Sequence, residues 1–132
     1  MLRVHKKIKY ALTALKYMKT KKPGELTTAK EICGQFDIPF DPTSRVLQIM
    51  TQHNILEALQ GAYGGYRLVG NLSKYTLYDL SRMIVGSFAM TDCAEKDGEC
   101  DHIDKCILKD AMARLNGKVL KVFKEIKVSN MI

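Results

Sequence analysis

Six apolar residues near the C-terminus, Leu108, Met112, Leu115, Val119, Val122 and Ile126, follow one another at intervals of four, three, four, three and four. That is a heptad seam of nearly three repeats, and it predicts one continuous helix over about 107–127. Such a helix is about 30 Å long and carries an apolar stripe that something must cover. Ala111 and Phe123 widen the stripe. The cover is either the chain's own domain or the same helix of a second copy. The remaining ~90 residues are enough for a compact unit of their own, which favours the second copy and a homodimer.

Those residues read as a succession of short helices. Ile8, Ala11, Leu12, Leu15 and Met18 recur at helical spacing and predict a helix over about 6–20, ended by Lys22-Pro23-Gly24. Thr28 with Glu31 is a capping box for a second helix through about Phe36, with Ile32 and Phe36 inward. Ile38-Pro39-Phe40 is expected to be extended, and Asp41 before Pro42 reads as the cap of a third helix over 42–53, with Val46, Ile49 and Met50 inward. The period then changes. Residues 55–59 and 66–69 read as two short strands joined by the glycine-rich turn 60–65. Thr76 with Asp79 caps a fourth helix, which Gly86 stops.

Three helices followed by a glycine-rich hairpin is the order of a winged helix-turn-helix. The fold class expected is therefore mainly α, a winged helix-turn-helix with a small β-hairpin wing, plus a long C-terminal dimerisation helix. The division expected is a DNA-binding domain over 1–86, a cysteine-bearing segment over 87–106, and the dimerisation helix with its tail over 107–132. In that arrangement the third helix enters the major groove of double-stranded DNA. Its solvent face would present Thr43, Ser44, Arg45, Gln48, Gln52 and His53, groups that can pair with base edges or phosphates. Charge agrees with an anionic partner: the chain carries 21 Lys and Arg against 14 Asp and Glu, and residues 1–22 hold eight bases and no acid. Arg3 and Lys9 are the phosphate candidates of that stretch. On the hairpin, Tyr63 at the tip and Arg67 on the return strand are the candidates, although a single arginine makes the wing weakly basic. A symmetric dimer would read a palindromic operator.

Cys93, Cys100 and Cys106 form a C-x6-C-x5-C pattern beside five acids. Structural zinc sites use closer cysteine pairs, so the spacing suits them poorly. It is wide enough to hold an iron–sulfur cluster by thiolates, and free thiols or a redox disulfide are equally open. Cys33, beside Ile32 on the second helix, reads as a structural thiol. No nucleophile–base pair stands out, and Gly61–Gly65 precedes a strand rather than a helix, so it is no phosphate loop and no enzyme is expected. No apolar run reaches the roughly 18 residues of a membrane helix. The basic N-terminus lacks the apolar core of a secretory signal, so the expected location is the cytoplasm and no membrane partner is expected.

Met1-Leu2-Arg3 through Lys9-Tyr10-Ala11-Leu12, the run Tyr63-Gly64-Gly65-Tyr66-Arg67-Leu68, the stretch Tyr75-Thr76-Leu77-Tyr78-Asp79-Leu80 and the three spaced cysteines together resemble the IscR/NsrR family of bacterial winged-helix regulators. The resemblance covers nearly the whole chain. It implies a homodimer with crossed C-terminal helices, a 2Fe-2S or 4Fe-4S cluster on Cys93, Cys100 and Cys106, and transcriptional control, most simply repression, by the state of that cluster. The signal would be iron–sulfur supply, nitric oxide or redox stress. A zinc- or thiol-dependent regulator of the same fold is the alternative. IscR-like members carry a histidine ligand where this chain has Lys109, and NsrR-like members an aspartate where it has Lys9. The fourth ligand must then come from elsewhere. His5, one helical turn before Lys9, is the first candidate and His102, between Cys100 and Cys106, the second.

Overall fold

The computed structural model describes residues 4–86 and 107–132. Helix α1 spans Lys6–Lys19, α2 Ala29–Phe36 and α3 Phe40–Gln52; strands β1 (Leu56–Leu59) and β2 (Gly65–Leu68) follow, then α4 (Leu77–Val85) and α5 (Lys109–Glu125). Short 3-10 turns at Leu72–Lys74 and Val128–Asn130 complete the order. The architecture is the expected one, mainly helical with a two-stranded antiparallel wing.

Local chemistry accounts for most of these boundaries. The Thr28 hydroxyl accepts from the Glu31 N–H and opens α2, but the Glu31 carboxylate does not complete the box. It accepts from Lys21 Nζ at 3.2 Å instead, which raises the lysine pKa and ties the end of α1 to the start of α2. At α4 the box is complete: Thr76 and Asp79 exchange both bonds, and Gly86 ends the helix at φ 89°. Left-handed Asp37, at φ 52°, ends α2 and turns the chain into α3. α3 itself begins two residues earlier than its sequence suggests. Pro39 is its cap residue, so Pro42 occupies the third helical position and Asp41 the second. The first helical turn has no partner for its N–H groups in any case, so a proline there costs little.

The core is built from one face of each helix. Ile8, Ala11 and Leu15 of α1 meet Ile32 of α2, Val46, Leu47 and Met50 of α3, and Leu80 of α4, with Ile55 and Leu56 closing the side toward the wing. Burying each of the larger of these contributes about 1.5–3 kcal/mol. Phe36, expected inward, is 42% exposed and stands edge-on to Tyr17, ring centroids 5.4 Å apart. Thr43 is also corrected: it belongs to the packing face, fully buried, rather than to the solvent face. It precedes Val46, Leu47 and Met50 by three, four and seven residues, so its methyl follows their stripe inward.

The wing is anchored by a contact of long sequence separation. Leu56 pairs with Leu68 and Leu59 with Gly65, and Tyr66 exchanges two backbone hydrogen bonds of 2.8 Å with Thr27, ahead of α2. A side chain at Gly65 would meet the Thr27 carbonyl at 3.0 Å, and one at Gly64 would collide with the Leu59 carbonyl. Both glycines are there for close backbone approach. The C-terminal tail returns to the same body. Leu77 N–H donates to Ile126 O at 2.8 Å, Val128 N–H donates to Tyr75 O at 2.9 Å, and the Val128 side chain is buried in the core.

Candidate nucleic-acid interface

Once one face of α3 is committed to the core, the opposite face is left to solvent. Arg45, Gln48 and Gln52 are exposed and Ser44 is half-buried, one stripe along the helix. Asp41 is exposed one turn before Ser44 and Arg45 on the same stripe. In the sequence it stands before Pro42 as a cap residue would, which conceals its place on this face. Thr43 is not part of the surface, and its buried hydroxyl has no hydrogen-bond partner among the described residues.

The hairpin lies against this helix. Gln48 and Thr51 of α3, with Ala58, Leu59, Gln60, Gly65 and Tyr66 of the wing, line one open cleft of about 360 Å³. Tyr63 is 95% exposed at the tip, an aromatic ring with nothing to pack on among the described residues. Arg67 is placed differently from the expectation of a free wing cation. Its Nε donates to Glu57 Oε2 across the strands at 2.6 Å. The two are register partners on β1 and β2, so the wing is electrically neutral along its strands. Helix α1 supplies the free positive charge: Lys6, Lys9 and Lys16 are exposed and none is in an ion pair among the described residues, whereas Lys19 Nζ donates to Ile132 O at 3.5 Å. Arg3 lies outside the described residues.

Cys93, Cys100, His102 and Cys106 also lie outside the described residues. Among the described residues no three or more His, Cys, Asp or Glu come together in a way that could hold a metal. The donor chemistry of the three cysteines fits an iron–sulfur cluster, which takes thiolates. His5 is described, and it is occupied. It caps α1, its Nδ1 accepting from the Lys7 N–H at 3.2 Å. A neutral imidazole has one acceptor nitrogen, so while Nδ1 holds the cap the ring has no lone pair for iron. His5 can cap α1 or ligate a metal, not both. Cys33 is half-buried on α2, its Sγ 3.7 Å from the Pro39 carbonyl, in keeping with a structural thiol.

Along α5 the heptad seam divides into two columns. Met112, Val119 and Ile126 are half-buried, and Ile126 packs against the core together with Phe123. Leu108, Leu115 and Val122, seven residues apart, are 50%, 37% and 49% exposed, and Ile107 is 97% exposed beside them. No described helix is long and apolar enough to cross a membrane.

Comparison with known proteins agrees with this geometry. A family model described as Rrf2, iron-dependent transcriptional regulator, matches residues 4–132. Protein aau3 of Rhizobium meliloti is 27% identical over 133 residues, 99% of this chain and 85% of that protein. The HTH-type transcriptional regulator NsrR of Oceanobacillus iheyensis is 25% identical over 124 residues, covering 93% and 84%. Among solved structures, CymR of B. subtilis, the global cysteine regulator, superposes with a TM-score of 0.71 at 19% identity, covering 99% of this chain and 96% of that one.

Proposed function

The chain belongs to the Rrf2 family of transcriptional regulators, and from that premise we propose that it is a cytoplasmic, homodimeric repressor that reads a palindromic operator with α3 and answers to an iron–sulfur cluster. The observation that carries the reading is the exposed stripe Ser44, Arg45, Gln48 and Gln52, set beside a hairpin with an exposed aromatic tip. Arg45 is the guanine reader of the set, since a guanidinium donates bidentately to O6 and N7, and Gln48 and Gln52 suit adenine. Lys9 and Arg3 take phosphates, which position the protein without reading sequence. Tyr63 meets the backbone or minor groove. Arg67 joins it only by exchanging Glu57 for a phosphate oxygen.

The test is a titration of the full chain against its selected operator and against random duplex at several salt concentrations. Arg45→Ala is expected to lose about 1–3 kcal/mol on the operator and to relax preference at one position. Lys9→Ala is expected to weaken binding on every sequence alike and to flatten the salt slope by about one unit. Equal effects of the two changes on operator and random DNA would refute the assignment of roles.

For the cluster, Cys93, Cys100 and Cys106 are the ligands, with His5 first and His102 second as the fourth. The cluster would supply a centre sensitive to iron–sulfur supply, nitric oxide or oxidants. The family's description as iron-dependent and the chemistry of three thiols support this reading. Segment 87–106 joins α4 to α5, so any change of ligation there acts on the connection between the DNA-reading half and the dimer helix. If His5 is the fourth ligand, ligation also releases the α1 cap, coupling the cluster to the helix that bears Lys9. Anaerobic purification is expected to yield brown protein with iron and sulfide in stoichiometric amounts, and Cys93→Ala to abolish the colour. His5→Ala is expected to shorten the cluster's lifetime in air more than His102→Ala does. Colourless wild-type protein that still binds DNA would favour the zinc or thiol regulator instead.

A further inference from the structure

The one acid of α3 stands on the face that meets DNA. Asp41 is the second helical residue, exposed, and falls one turn before Ser44 and Arg45 and two before Gln48. Its carboxylate caps nothing, because the helix has no side-chain cap bond. Nor does it pair with Arg45 one turn on: no ion pair or hydrogen bond engages it among the described residues. A carboxylate facing a polyanion is repelled by phosphates. In the major groove it is an acceptor with no proton to give, so it is also repelled by O6 and N7 of guanine and by O4 of thymine. The cytosine amine is the group it suits, because cytosine presents no acceptor of its own in the groove; adenine presents its amine next to its own N7 acceptor.

We propose that Asp41 is a base-reading residue that accepts a hydrogen bond from the N4 amine of a cytosine, a specificity contact that rests on the reading of α3 as the DNA-contacting helix. Arg45 lies about 6 Å further along the helix axis. At about 3.4 Å per base step, the cytosine and the base read by Arg45 are about two steps apart. The same carboxylate lowers affinity for sequences that offer it no amine, so Asp41 discriminates by repulsion as well as by attraction.

The experiment selects bound sequences from a random duplex pool with the full-length wild type, Asp41→Ala, Asp41→Asn and Arg45→Ala proteins. Wild type is expected to require cytosine at one position of each half-site. Asp41→Ala should lower the cytosine-to-thymine ratio there by about fivefold or more and bind random DNA more tightly. Asp41→Asn, which gains a donor, should move the preference to adenine at the same position. The position relaxed by Arg45→Ala should be a different one. An unchanged motif in both Asp41 variants, or a uniform change on all sequences such as a carboxylate acting only on the helix dipole would give, overturns the proposal while α3 reading stands. A wild-type protein that selects no motif overturns both.

Discussion

Leu115→Glu with Val122→Glu is expected to convert the protein from dimer to monomer at micromolar concentration, read by sedimentation velocity. Both residues belong to the exposed column of α5, and none of that helix's residues is fully buried within its own chain. In a symmetric pairing each substitution enters the interface twice, and an unpaired charge in an apolar contact costs several kcal/mol. Phe123 and Ile126, which pack α5 against its own domain, are untouched. The monomer should therefore keep its helical circular dichroism and a cooperative thermal transition while losing most operator affinity, because two half-sites can no longer be bound together. A dimer that persists in the double variant would mean that the exposed column does not form the subunit contact.

The second large effect is expected at the other end of that helix. Val128 is 1% exposed, and its backbone bond to Tyr75 pins the tail beside the start of α4. Val128→Asp would place an unpaired carboxylate in the core and is expected to cost about 3–5 kcal/mol in urea unfolding. Val128→Ala removes two methyl groups and is expected to cost about 1–2 kcal/mol. The loss should appear in the single transition of the DNA-binding body, because the tail is part of its core. A loss below about 1 kcal/mol for the aspartate would separate residues 107–132 from the domain at 1–86, as the sequence division has it.

How much of this was readable beforehand varies with the range of the forces involved. Caps and periodicity are local, and they located α1, α2 and α4 to within a residue or two, along with the hairpin and its glycines. The base-competent stripe of α3 was legible for the same reason. Once Val46 and Met50 point inward, Arg45, Gln48 and Gln52 must point out. The exceptions each depend on what lies across the fold. Threonine is both hydroxyl and methyl, and only the packing of α3 on its neighbours decided that Thr43 turns inward. Asp41 looked like a cap because an acid before a proline usually is one; the helix started earlier because Pro39 and the left-handed turn at Asp37 set the direction of entry. The wing's neutrality needed the register of β1 against β2 to put Glu57 opposite Arg67. The pairing of Thr27 with Tyr66 and the return of Val128 to the core join residues 39 and more than 40 apart in the chain, through backbone bonds and apolar contact that leave no mark on the intervening sequence. On α5 the heptad spacing alone determined that one long apolar seam exists. Which half of the seam the domain keeps and which it leaves exposed was settled by the docking of α5 on α4, since a single helix cannot say which side its neighbour will occupy.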